Sequence, residues 1–242
     1  MSKWIWALLL VNSTSLLAQT DPAATRVWTP VPPVIIPGNN SSDPPSDAII
    51  ILSKKKHGDW VNADGQPSKW KTEKGVMTVV PGTGDIKTVQ KFGSCQLHIE
   101  WRVPRDVEGE GQNRGNSGVY LMDRYEVQVL DNYKNVTYSN GMAGSIYKQH
   151  IPLVNVCRPP GEWQSYDIIF TAPVFSSDTT VQAPAKFTVF QNGVLIQNDV
   201  VLKGLTVDAG QPHYRRHADK EPLKLQDHEF RISYRNIWIR EL

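Results

Sequence analysis

Residues 94–103, SCQLHIEWRV, and 114–131, RGNSGVYLMDRYEVQVLD, decide the fold. Side chains on a strand alternate between its two faces. In the first stretch Gln96, His98, Glu100 and Arg102 therefore share one face, and Leu97, Ile99, Trp101 and Val103 the other. In YEVQVLD, Glu126 and Gln128 share a face, and Asp131 lies three residues further on. A strand with one apolar and one polar row belongs to a sheet that hides one side in a core and offers the other to a polar ligand. Carbohydrate suits such a surface.

Outward from these rows the chain reads as strand after strand. The sequence predicts strands at 48–52, 69–73, 76–80, 96–103, 117–122, 125–130, 144–148, 163–172, 186–191, 194–198, 223–226 and 231–241. Asn192-Gly193 is the strongest hairpin signal, and Lys74-Gly75 the next. Beyond the N-terminus no window sustains a 3.6-residue period, so no helix is expected. Many strands without helices imply an all-β sandwich of two antiparallel sheets, a jelly roll with a concave polar face. Leu97, Ile99, Trp101, Ile168, Phe170, Phe187 and Val189 are expected between the sheets.

Three segments are expected. Lys3, the apolar run Trp4–Val11 and the small residue Ala18 describe a signal peptide over 1–18, cleaved after Ala18. The run is too short for a membrane span, so no stable membrane insertion is expected. Export to the periplasm or outside the cell follows. Residues 19–46 carry Pro22, Pro30, Pro32, Pro33, Pro37, Pro44 and Pro45 and read as a disordered linker. The β-domain then fills 47–242. A formal net charge of +2 gives no support to a nucleic-acid partner. Cys95 and Cys157 are too few for a disulfide framework, and burial must hold the core.

Several side chains are candidates for chemistry. A β-bulge between 128 and 131 would return Asp131 to the Glu126 face, giving two carboxylates about an amide, an arrangement suited to sugar chemistry. The plainer reading is a solvated face with ordinary ion pairs, for example to Arg124. His98, Glu100 and Arg102 are open to three readings: surface electrostatics, lining of the same groove, or a divalent metal site in which His98 and Glu100 join Asp131 or His228. Asn116, in Gly115-Asn116-Ser117-Gly118, can bind a hydroxyl pair or close a tight turn, and Tyr120 follows it. In Gln226-Asp227-His228, Asp227 is placed to orient a His228 base, given loop geometry. Tyr147 and His150 are candidates for the groove rim. Trp60, Trp70, Trp163 and Trp238 can stack on sugars, although tryptophans in sandwiches are more often core residues. GxSxG, HExxH, P-loop and CxxC motifs are absent from the sequence, which leaves serine-hydrolase, zincin, NTPase and thiol-redox readings without footing.

The motifs GDW, KFGSCQLHIEWR, RGNSGVYL, RYEVQVLD, GSIYK, PPGEWQSYDIIF, NGVLIQN and KLQDHEF…RNIWIREL, in this order from about residue 47 to the C-terminus, closely resemble the 3-keto-disaccharide hydrolase family. The resemblance implies a concanavalin A-like jelly roll, exported bacterial members and action on glycosides oxidised to a ketone at sugar carbon 3. Glu126, Gln128 and Asp131 also resemble the bulged Glu-x-Asp-x-x-Glu strand of a glucanase family of that fold, with Gln128 in place of the middle acid and Asp131 in place of the last. On the first resemblance, Glu126 or His98 is the expected base at C2, Asp131 or His228 assists the leaving oxygen, and Arg102, Arg124 or a metal ion steadies the enolate. A conventional glycosidase with Glu126 and Asp131, or a carbohydrate-binding module without catalysis, are the other readings.

Overall fold

The computed structural model describes residues 22–176 and 180–242. The predicted signal peptide over 1–18 lies outside them. The chain divides into two units between Ile35 and Ile36. Residues 22–35, the described part of the smaller one, hold a turn in which the Arg26 amide donates to the Ala23 carbonyl.

The larger unit is built of strands: β1 (Ile49–Leu52), β2 (Trp60–Val61), β3 (Lys71–Glu73), β4 (Val76–Thr78), β5 (Ile86–Phe92), β6 (Cys95–Arg102), β7 (Ser117–Leu121), β8 (Tyr125–Val129), β9 (Gln164–Thr171), β10 (Val174–Phe175), β11 (Val181–Ala183), β12 (Lys186–Gln191), β13 (Val194–Val201), β14 (Glu221–Leu225) and β15 (Ser233–Glu241). An eight-stranded antiparallel sheet runs β13-β12-β9-β6-β15-β4-β3, with β1 also paired to β15. A five-stranded sheet runs β2-β5-β14-β7-β8, and β10 with β11 makes a small ribbon. The two large sheets pack as a jelly-roll sandwich. Among the described residues, helical geometry is confined to 3-10 turns at Gly111–Asn113 and Ser139–Gly141.

The expected core is the observed one. Leu97, Ile99, Trp101, Ile168, Phe170, Phe187 and Val189 are all fully buried. The five-stranded sheet meets them with Ile86, Val119, Leu121, Tyr125, Val127, Leu223 and Leu225. Each such side chain contributes about 1.5–3 kcal/mol by leaving water. Polar ties cross the interior as well: the Tyr166 hydroxyl donates to the Gln128 carbonyl at 2.7 Å, and Ser117 Oγ meets the Tyr234 hydroxyl at 2.7 Å. Cys95 is buried and Cys157 half-buried, and both are free thiols.

Turn chemistry behaves as the sequence implies. Lys74 (φ 50°) with Gly75 (φ 80°), and Asn192 (φ 53°) with Gly193 (φ 81°), take the paired left-handed conformations of a tight hairpin. The expected strand at 144–148 does not form. Gly144 and Lys148 both have positive φ and break the extended run, leaving single bridges from Ile146 to Val127 and His150. Residues 36–46, assigned by composition to the linker, belong to the larger unit. The Ser42 carbonyl accepts from Asn236 Nδ2 at 2.9 Å and Trp238 Nε1 at 3.1 Å.

Candidate active site

Period-two alternation sends Val119, Leu121, Tyr125, Val127, Leu223 and Leu225 inward, and their neighbours Gly118, Tyr120, Glu126, Gln128 and Lys224 outward. These outward residues come from three adjacent strands, since β14 pairs with β7 and β7 with β8. Tyr120 stands directly opposite Glu126, and Gly118 opposite Gln128. Asn116, Gln226, Tyr147, Thr206, Asp208 and His228 complete a cavity of about 280 Å³ over this row. That is near the small end of ligand sites.

Glu126 forms the floor. It is 2 % exposed, and its amide donates to Thr206 Oγ1 at 3.0 Å. Burial pushes its carboxyl up to about 8, against the lowering pull of the Tyr120 hydroxyl, which donates to it, and of the Lys224 ammonium. Burial and the Glu126 carboxyl in turn drive the Tyr120 phenol far above its ordinary value. With its nitrogen toward Glu126, the Gln128 amide donates to the Ser117 carbonyl at 2.9 Å and to Glu126 Oε1 at 3.0 Å. Gly118 makes room for the group: a Cβ there would lie 2.5 Å from Glu126 Oε1 and 2.7 Å from the Tyr120 ring. Its glycine is required by space.

Around this floor the charges are anchored. Lys224 Nζ lies 4.1 Å from the Tyr120 ring centroid, 3.2 Å from Asp123 and 3.6 Å from Asp85. Lys148 pairs with the exposed Asp208 at 2.8 Å. Gln226 Nε2 reaches the Tyr120 hydroxyl at 3.4 Å, while its Oε1 is buried without a partner among the described residues. Such an orphaned acceptor suits a ligand hydroxyl.

Of the residues expected from sequence, Glu126, Gln128, Asn116, Tyr120, Tyr147 and His228 meet in this cavity. His98, Glu100 and Arg102 do not. They sit on β6 of the other sheet, on the face turned away from the core, so the two polar rows look outward from opposite sides of the sandwich. His98 is held by Asp167 at 2.6 Å, faces Glu100 at 3.7 Å and stacks on Trp238 with centroids 5.4 Å apart. Glu100 is bound by Arg235 at 2.6 Å and Asn236 at 2.9 Å, and Arg102 lies over Trp163. His98 and Glu100 belong to an ion-pair network, and Arg102 rests on an indole.

Asp131 is likewise elsewhere. The β7–β8 ladder ends at Val129, before Asp131, and Asp131 is not among the residues lining the cavity. It accepts from Arg114 Nε at 2.7 Å and from the Tyr133 amide at 2.9 Å. Arg124 sits at the turn joining β7 and β8, and its carbonyl accepts from the Thr206 amide. His150 is bound to the Val201 carbonyl at 2.8 Å, away from the cavity. Asp227 does not orient His228. Its two oxygens accept from the Glu229 amide at 3.0 Å and the Gly84 amide at 2.9 Å. The suggested metal set is thereby dispersed, and among the described residues no three His, Cys, Asp or Glu side chains converge on a common point. Trp60, Trp70 and Trp238 are buried, and none of the four tryptophans lines the Glu126 cavity.

Lys224, Thr206 and Asp208 join the site in addition to the residues expected from sequence. Lys224 was legible, because in LKLQ it alternates with the core residues Leu223 and Leu225 and shares a face with Gln226. Thr206 and Asp208 arrive on a loop about 80 residues from Glu126 and carry no local signal.

The His98 network titrates. Burial opposes its charge, but the Asp167 and Glu100 carboxylates outweigh that and raise the imidazole to about 9. A raised imidazole contributes stability that is complete below its ordinary 6.5 and lost as pH rises through about 9. His98→Gln should therefore be most destabilising near pH 6, with the deficit shrinking by on the order of 3 kcal/mol by pH 10. Urea unfolding at both pH values checks this; parallel curves would reject it.

The sequence matches the model of the 3-keto-alpha-glucoside-1,2-lyase-like domain over residues 51–240. Among solved structures, a protein of Parabacteroides distasonis provisionally named a glycosyl hydrolase is 47 % identical, with a TM-score of 0.86 over 92 % of this chain and 97 % of its own. Two more P. distasonis proteins of the same provisional name are 18 % and 19 % identical, each with a TM-score of 0.52 over 76 % of this chain, and over 88 % and 99 % of their own. At that identity they support the fold alone. No curated protein matches the chain. With the family model spanning most of the sequence, and a relative of nearly half-identical sequence sharing its sandwich, the chain belongs to the 3-keto-alpha-glucoside-1,2-lyase-like domain family.

Proposed function

We propose that this protein is an exported enzyme that cleaves 3-keto-glycosides by elimination. A ketone at C3 acidifies the hydrogen on C2. The Glu126 carboxylate takes that proton, and the electron pair passes to the C3 oxygen as an enolate beside the Lys224 ammonium. The pair then returns, the C1–O bond breaks, and His228 supplies the proton to the departing oxygen. Water adds at C1 of the resulting enone while a proton returns to C2, so the net change is hydrolysis.

One observation carries this reading: a single buried carboxyl, raised to about 8, at the floor of a polar cavity. A double-displacement glycosidase needs a second carboxyl about 5–5.5 Å away. Asp131, the residue expected to serve, is committed to Arg114, and Asp208, the other carboxylate lining the cavity, is exposed and paired with Lys148. An elimination needs one base only.

The test is turnover of a 3-keto-disaccharide against its unoxidised parent. Only the first should be cleaved. Equal cleavage of the parent would mean an ordinary glycosidase, and binding without cleavage of either would mean a binding module. Lys224→Met should lower kcat about 10²-fold with little change in KM, because the enolate charge exists only beyond the ground state. A variant that turns over at the wild-type rate removes Lys224 from the mechanism.

A further inference from the structure

The cavity over Glu126 holds little more than the reacting ring, so the rest of a substrate lies outside it. Two tyrosines stand at one side of it. Tyr147 lines the cavity, and its hydroxyl meets that of Tyr138 at 2.7 Å, with ring centroids 6.4 Å apart and planes inclined by 58°. Tyr138 is 43 % exposed.

We propose that Tyr138 and Tyr147 form a platform that receives a ring-bearing leaving group, a second sugar or an aryl ring; this rests on the elimination reading. Tyr138 is held for that purpose. One edge of its ring lies against Gly141, where a Cβ would come within 2.0 Å of Cε2 and 2.7 Å of Cδ2. Gly141 is outside the left-handed region, so the ring and not the backbone conformation demands a glycine there. The hydroxyl is fixed by Tyr147, whose amide donates to the Glu126 carbonyl at 3.4 Å. Lys148 lies over the Tyr147 ring at 5.1 Å and is tethered to Asp208. The platform is thus mechanically continuous with the strand that carries the base. An exposed aromatic ring fixed before binding loses little freedom when a ligand covers it, and a flat apolar face with a polar edge matches a sugar or aryl ring.

The experiment compares kcat/KM for methyl and phenyl 3-keto-glucosides and a 3-keto-disaccharide. Tyr138→Ala should cost about tenfold on the phenyl glycoside and the disaccharide, mostly in KM, and under about twofold on the methyl glycoside. Tyr138→Phe, which keeps the face and loses the hydroxyl, should stay within about threefold of wild type on all three. An equal loss on methyl and phenyl substrates, or a Phe variant as impaired as the Ala variant, overturns the platform. If the wild-type protein cleaves no 3-keto-glycoside, the elimination reading falls, and the platform is read from affinity alone. A preference for phenyl over methyl glucoside that Tyr138→Ala abolishes upholds it, and equal affinities overturn it.

Discussion

Glu126→Gln should lower turnover of a 3-keto-disaccharide about 10³-fold while the protein stays folded and binds the substrate. The amide keeps the size of the side chain, so Gly118, Tyr120 and Gln128 keep their places around it. What is lost is the capacity to take the C2 proton. In the wild type, kcat/KM should climb as pH rises through about 8, because burial holds the free enzyme's carboxyl protonated below that value. A pH profile that is flat from 6 to 9, or a Gln variant within tenfold of wild type, would dismiss Glu126 as the base.

The same substitution should change stability with a definite sign. The folded protein holds the Glu126 proton up to about 8, whereas an unfolded chain releases it near 4.5. Stability from this group is therefore complete below 4.5 and is lost as pH rises through about 8. The wild type pays for burying charge above that, and Glu126→Gln does not. The variant should gain on the wild type by on the order of 4 kcal/mol between pH 4.5 and 9. Function and stability are opposed at this residue: the ionised form that does the chemistry is the one the fold tolerates least.

The fold was legible because sandwich strands are written in local code. Leu97, Ile99 and Trp101 alternate with polar neighbours, and Asn192-Gly193 supplies the backbone that a tight turn demands. β5 was missed because IKTVQKF hides only Ile86 and Phe92 at its ends and Thr88 between them, with Val89 exposed. The site was half legible. Glu126, Gln128 and Tyr120 lie on paired strands with Asn116 just before the first, all within about a dozen residues, so one alternation reaches them all. Local pattern states which side of its own strand His98 occupies, but not which sheet that strand joins. β6 lies between β9 and β15 of the other sheet, and that assignment depends on pairings made across 63 to 146 residues of chain. Asp131 stays out of the cavity because β8 ends at Val129 and Arg114, 17 residues upstream, takes its carboxylate.

Asp131→Ala separates the structural from the catalytic role of that residue more sharply than any other substitution. The Asp131 side chain is 1 % exposed, and that of Arg114 is 25 % exposed. Asp131 also receives the Tyr133 amide, and its carbonyl accepts from Asn135 Nδ2 at 2.7 Å. Removing one member of a buried, hydrogen-bonded pair leaves the other charge unmatched in a poorly solvated place, at a cost of about 3–5 kcal/mol. For a domain of this size that lowers Tm by roughly 10 °C. A catalytic carboxyl would show the opposite signature, with Tm nearly kept and kcat down by orders of magnitude. The expected result is therefore a strongly destabilised protein whose folded fraction, assayed well below its Tm, turns over within about threefold of wild type. Arg114→Met should destabilise comparably, and the double variant should cost much less than the sum, since each change removes the partner that made the other harmful. Preserved stability with lost turnover would return Asp131 to the active site.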